Sequence, residues 1–445
     1  MASGFIGEIS HRRVLRIAIP IVLANATVPM IGAVDTGVIG QLGLAAPIGA
    51  VGIGAIILSA LYWFFGFLRM GTSGMTAQAV GAGNSQEVSA MLLRALLAGF
   101  GAGCLFIVFQ APIIWASFRL SPASIEVEVM AREYLRIRFL GAPAAIAAYG
   151  IFGWLIATER TRSVFVLQLW VNGLNAALDF LFVIGWGWGI SGVAVASVIS
   201  EWTALGLGLW LTRSHLSRER WKDWSAVLDR ARLLRLAGIN LDIMIRSVLL
   251  QASFVSFLFL GSSFDDATLA ADQILIQFLH IAAFALDGFA FAAESLVGQA
   301  FGANNRSALR RAALLTSFWA FAFVIVLVAL LYPLGEWLVA LMATSQEVRT
   351  VTAEYLPWIA VLPLIGAGAW MLDGVFIGAT KTRDLRNMMF VAFLAYCASV
   401  LYLLDAYGNH GLWAALLVFF LVRTLTLAVR YPTIERSLGG QQPAE

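Results

Sequence analysis

Apolar segments of about 20 residues or more follow one another from end to end of this chain, each long enough to cross a hydrocarbon core of about 30 Å at 1.5 Å per residue. Lipid offers no water to an unpaired backbone N–H or C=O, so such segments fold as helices. Of the 445 residues, 60% are hydrophobic and 12% charged, against roughly 25% charged in a soluble domain. A soluble globular protein is excluded, and the fold class is an all-α polytopic membrane protein with the lipid bilayer as its surroundings. The net charge of +3 is spread over arginines between the segments, with no concentrated basic face, so no nucleic-acid partner is expected. Cys104 and Cys397 lie singly in apolar segments and the four histidines form no ligand-spaced group with them, so neither a disulfide nor a metal centre is expected. Arg12, Arg13 and Arg16 before an apolar run with an Ala24-Asn25-Ala26 triplet imitate a signal peptide, but the run continues well past that triplet and reads as a retained first span.

Breaks rich in Gly, Pro and charge divide the chain into twelve spans, near 14–40, 45–71, 88–115, 128–157, 163–185, 190–213, 234–260, 267–298, 307–335, 346–378, 384–405 and 410–431. Arg12, Arg13, Arg16, Arg160, Arg162, Lys381, Arg383, Arg386 and the basic connection from Arg213 to Arg235 then fall on one side. That side is expected to be cytoplasmic, with both termini inside a bacterial inner membrane.

An internal repeat organises these spans. AQAVGAGN at 77–84 recurs as GQAFGANN at 298–305, REYL at 132–135 as AEYL at 353–356, and ERTRS at 159–163 as TKTRD at 380–384, all offset by 221 residues. Parallel repeats of six spans, 1–213 and 234–445, joined by a cytoplasmic connection at 214–233, are expected to be related by an axis along the membrane normal, as in folds that hold a substrate between their halves. Alternating access requires such an arrangement; a passive scaffold does not.

Ionisable residues inside spans are costly and few. Asp35 follows Pro29 by six residues and Pro20 by fifteen, so the span carrying the acid has proline hinges. It is read as a proton or cation site coupled to that bend, the bland alternative being a carboxylate reaching the interface. Asn172, Asn175 and Asp179 stand at i, i+3 and i+7, one helical face, and read as further ligands of a proton or small cation or, more plainly, as helix-to-helix hydrogen bonds. In the second repeat Asp242 and Arg246, four apart, suit a structural ion pair. Asp287 and Asp373 either line a cavity or bridge helices, Glu294 approaches the cytoplasmic interface, and Arg69 and Arg423 snorkel from span ends. The first repeat has Gly66, Ser73 and Phe152 in place of Asp287, Glu294 and Asp373, so the repeats have specialised. Met30 and Met70 are candidates for a soft cavity wall.

TVPMIGAVDTGVIGQLG in the first span, the paired AQAVGAG and GQAFGA, and NAALDFLFVIGWGWGISGVAVASVIS across spans five and six resemble the MATE family of multidrug and toxic compound extrusion transporters. ALDGFAFAAESLVGQAFGA and MLDGVFIGATKTRDLRN resemble its DinF branch more narrowly. The resemblance implies twelve transmembrane helices in two pseudo-symmetric six-helix lobes, no enzyme activity and no organic cofactor. It implies a monomer exporting small cationic or amphiphilic molecules against inward H+ or Na+. Asp35 is similar to the family's first-span acid, whose protonation is held to bend that helix and displace substrate, and Asp179 with Asn175 to the partners of that acid. Asp373 is similar to a tenth-span acid tied to cation coupling in another branch, but that branch's seventh-span acid is replaced here by Val248, which favours H+ over Na+. A flippase for a lipid-linked or other amphiphilic metabolite is the alternative. An aspartyl intramembrane protease would need a GxGD motif and an ATPase a P-loop, and the chain has neither.

Overall fold

The computed structural model describes residues 7–27, 34, 37–41, 45–120, 124–216 and 224–438. Asp35, Met30 and Pro29 lie outside these. Among the described residues the chain is helical throughout, without a strand. The longer helices described from end to end are α1 (His11–Ala26), α2 (Ala45–Trp63), α3 (Gly66–Gly81), α4 (Ser85–Val108), α5 (Gln110–Leu120), α6 (Ile125–Arg138), α7 (Ala142–Ala157), α8 (Thr161–Asp179), α9 (Gly189–Thr212), α10 (Arg230–Gly261), α11 (Asp266–Gly302), α12 (Arg306–Met342), α13 (Gln346–Gly378) and α14 (Thr382–Arg436). A 3₁₀ turn at Phe139–Gly141 joins α6 to α7, and a π-helical turn at Phe180–Gly185 extends α8.

The punctuation between helices repeats with the sequence. Asn84 caps α4 by accepting the N–H of Glu87 at 2.9 Å, and Asn305, 221 residues later, caps α12 by accepting that of Ala308 at 3.0 Å. Ser124 and Ser345, again 221 apart, cap α6 and α13 through the N–H groups of Val127 and Val348. Each cap satisfies a donor that a helix start leaves open. Left-handed Glu159 (φ 57°) and Thr380 (φ 51°) also correspond.

The same register explains the 55 residues of α14. Gly408, at φ 56° and ψ −134°, interrupts it and is the counterpart of Gly187 (φ 69°), where the first repeat breaks between α8 and α9. Only glycine enters such backbone without strain. Segments 382–407 and 409–436 are therefore two crossings, each longer than the roughly 20 residues a span needs. Among the described residues ten stretches meet the length and apolarity of a membrane span; this division adds one, and α1 opens the first expected span.

The chain forms two compact units. One comprises the residues up to Val22, Ser73–Gly83 and everything from Leu234; the other comprises Leu23–Thr72 and Asn84–Leu233. The division at 233/234 coincides with the start expected for the second repeat, and two strips of the first repeat join it. Their reason is close packing of small residues. A side chain at Gly81 would overlap the carbonyl of Gln299, and one at Gly302, the repeat equivalent, would overlap the carbonyl of Gln78. Gln78 Nε2 also donates to the Gly378 carbonyl and to Thr380 Oγ1, each at 3.0 Å. On α1, Arg13 Nη2 donates to Gln299 Oε1 at 2.9 Å, and Ala18 and Val22 pack on Gly288. The core of this unit centres on Phe257, Trp413, Phe419 and Phe420; that of the other on Ile39, Tyr134, Phe139 and Val193.

Candidate functional site

In the unit holding most of the first repeat, α8 turns its polar stripe inward. Asn172 is 9%, Asn175 4% and Asp179 0% exposed, as i, i+3, i+7 spacing on a half-buried helix requires. Asn175 Nδ2 donates to Ser197 Oγ on α9 at 3.2 Å. Asn172 Nδ2 donates to Thr27 Oγ1 at 2.6 Å, while its own Oδ1 accepts Gln168 Nε2 at 3.1 Å. Thr27 follows directly on α1 and lies eight residues before Asp35, so α8 holds the chain where it leaves α1 toward that acid. Asp179 is the last α-helical residue before the π turn, a local change of helix geometry found often at functional positions. Phe182, Trp186 and Trp188 close the far end of that turn with ring centroids 5.0 Å apart.

α1 runs through Pro20, which removes the N–H that would bond to the Arg16 carbonyl. The chain passes from one compact unit to the other between Val22 and Leu23, two residues further on. Met70 is half-buried on α3.

In the unit holding the second repeat, the charges pair differently from the expectation. Asp242 does not take Arg246. It accepts Arg386 Nη1 at 2.7 Å and Thr382 Oγ1 at 3.0 Å, both at the start of α14. Arg246 instead pairs with Asp373 on α13, and so does Arg423 on α14. The i, i+4 spacing makes such a pair available, but in a multi-helix interior partners on other helices satisfy these groups while filling space between the helices. Arg423 is 0% and Arg69 9% exposed, so neither snorkels, and Glu294 is buried at 1%. Asp287 is half-buried on α11. Of the two readings held for Asp373, bridging between helices is the one its contacts display.

Two buried polar groups escaped sequence reasoning. Arg138 and Glu201 pair at 2.9 Å between α6 and α9, with side chains 12% and 14% exposed. Glu201, an isolated acid within the sixth span, was the available signal, as was Gly141, where a side chain would strike its carboxylate. Asp272 of α11 accepts Asn409 Nδ2 and Trp413 Nε1, each at 2.9 Å, and so ties α11 to the chain just past the Gly408 break. Among the described residues no group of three His, Cys, Asp or Glu side chains could hold a metal ion.

This is a duplicated, all-α, multi-pass membrane architecture with acids and amides buried inside its bundles. A model of the MatE family matches the chain twice, over residues 20–181 and 243–403, starts that are 243 minus 20, or 223, residues apart and so in step with the repeat. The DNA damage-inducible protein F of Escherichia coli K12 is 38% identical over 94% of this chain and 91% of its own length. The probable multidrug resistance protein NorM of Rhizobium meliloti is 26% identical over 97% of this chain and 95% of its own. Among solved structures, an outward-facing multidrug resistance MATE transporter of the MOP superfamily superposes with a TM-score of 0.81 at 19% identity, covering 97% of both chains. A MATE in its bent conformation does so with a TM-score of 0.82 at 18% identity, covering 96% of both. The chain belongs to the MatE family and has the MATE fold; its homologues are membrane transporters, not enzymes.

Proposed function

We propose that the chain is a secondary active exporter of small organic cations or amphiphilic compounds, working by alternating access and driven by inward H+. The two six-span repeats, 1–213 and 234–445, act as its lobes. It sits as a monomer in a bacterial inner membrane with both termini cytoplasmic, the side that the arginine-rich connections favour.

One observation carries the coupling: the buried Asn172, Asn175, Asp179 stripe holds Thr27 at the end of the helix that leads to Asp35. Asp35 and Asp179 share one exchangeable proton. When a proton enters from outside, a charge is removed from the bundle interior, and Pro20 and Pro29 let the first span respond by bending. Substrate leaves as the bend closes its place. When the proton departs to the cytoplasm, the carboxylate is restored and attracts the next cation. Hydrogen-bonding amides beside a carboxylate serve either protonation state, since they donate as well as accept.

H+ is favoured over Na+ by the second repeat. A sodium ion there would meet the two guanidiniums that Asp373 already holds, and Asp242 is taken by Arg386 and Thr382. Chain reconstituted in liposomes under separately imposed pH and Na+ gradients checks this. Efflux of ethidium should follow the pH gradient and fail in Asp179→Asn. Efflux driven equally well by Na+ alone, or unchanged in that variant, would refute the coupling.

A further inference from the structure

Two guanidiniums converge on one oxygen of one carboxylate in the unit that holds the second repeat. Arg246 of α10 and Arg423 of α14 both reach Asp373 Oδ2, with side chains 6%, 0% and 6% exposed respectively. The arrangement is incomplete. Nε and Nη1 of Arg423 and Oδ1 of Asp373 are buried without a hydrogen-bond partner among the described residues. A guanidinium carries five donors and keeps its proton at any working pH, so unmet donors in a dry interior are costly. Asp242 does not relieve them, being held by Arg386 and Thr382.

An aromatic layer stands about one to two helical turns along the same helices from this cluster. Phe254 lies eight residues after Arg246, Trp370 three before Asp373 and Phe420 three before Arg423, spacings that keep each ring on the face its helix gives to the cluster. Phe420 stands 6.3 Å from Phe254 and 5.3 Å from Trp370 by ring centroids, and His280 of α11 stands 5.5 Å from Phe254. Phe254 and Trp370 are only half-buried, so the layer keeps open ring surface.

We infer that Arg423 and Arg246, with these rings, form a binding site for an amphipathic organic anion: a carboxylate head on an aromatic or branched apolar body. The head takes one of the unmet donors of Arg423, Nε or Nη1, in a charge-assisted contact. The body packs on the open ring surface of Phe254 and Trp370, which Phe420 backs. Asp373 competes for the same guanidiniums and sets how weakly the anion binds. Two guanidiniums against one carboxylate leave this cluster with an excess positive charge, opposite in sign to the stripe that ends in Asp179.

Equilibrium dialysis of the purified chain in a nonionic detergent tests this with three probes that share the 1-naphthylmethyl body: 1-naphthaleneacetate, 1-naphthalenemethanol and 1-naphthylmethylammonium. The acetate should bind about tenfold more tightly than either of the others, the size of one charge-assisted contact. Arg423→Gln should abolish that preference, Phe254→Ala should weaken the acetate severalfold, and Asp373→Asn should tighten it by freeing the guanidiniums. Equal binding of all three probes, or Asp373→Asn weakening the acetate, would overturn the assignment, the latter marking the cluster as a structural brace. Should Arg423→Gln fail to fold, the opposite signs expected for Asp373→Asn and Phe254→Ala decide the matter. None of these measurements involves an ion gradient, so they fail or succeed independently of proton coupling.

Discussion

Single side chains show where sequence is informative and where it stops. The Asn172, Asn175, Asp179 stripe was legible because helical periodicity alone fixes a shared face, and a polar face in an apolar span has to turn inward. Partner choice was not legible. Asp242 and Arg246 had the spacing of a pair, yet each found a better-placed group on another helix. Arg423 sits near a span end in sequence and is nevertheless fully buried, because helix packing, not distance from a loop, decides exposure. The missed Arg138–Glu201 pair makes a test at this scale. Leaving either charge buried alone should cost about 3–5 kcal/mol, whereas replacing both by apolar residues of similar size should be near neutral. Glu201→Leu is expected to lower the thermal midpoint in detergent sharply, and Arg138→Met with Glu201→Leu to restore most of it. A double variant as unstable as the single would mean that the pair does more than neutralise itself.

At the scale of elements, the duplication shows in the ends of helices more clearly than in their interiors. Interiors have diverged, with Gly66, Ser73 and Phe152 facing Asp287, Glu294 and Asp373 across the repeat. Caps and left-handed residues have kept their register because a helix start must satisfy its open N–H groups whatever the bundle carries. Asn84→Ala and Asn305→Ala should therefore each cost about 1 kcal/mol, and by similar amounts, which unfolding in denaturant can compare. Gly81→Ala and Gly302→Ala should both be far more damaging, since each would drive a methyl group into a backbone carbonyl that cannot give way. Asp265, ahead of α11, supplies a pH-dependent case. Its carboxylate accepts the N–H and hydroxyl of Thr268, which holds its pKa below the ordinary value of 3.8. A depressed pKa contributes stability that is fully present above the ordinary value and lost as pH falls through the folded one. Asp265→Ala should accordingly lower stability at neutral pH and flatten its decline on acidification.

For the whole molecule, the all-α multi-pass class and the duplicated plan were readable from hydropathy and three motifs repeated at one offset, and the MATE fold from the family resemblance of the longer motifs. The make-up of the compact units was not, since it depends on close contacts at Gly81, Gly302 and Gly288 that no periodicity announces. Nor did sequence reveal that Pro20 stands two residues before the chain passes from one unit to the other. That placement gives the proposed bend of the first span its mechanical sense, because a change of protonation near Asp35 acts on a helix belonging to both units. The proposal's centre is that one proton and one substrate compete through Asp35 and Asp179. Addition of tetraphenylphosphonium to the purified chain in weakly buffered solution, followed with a pH-sensitive dye, measures that competition directly. The wild type should release protons on binding, and Asp35→Asn and Asp179→Asn should bind the cation with little or no release; full release from both variants, or none from the wild type, would contradict it.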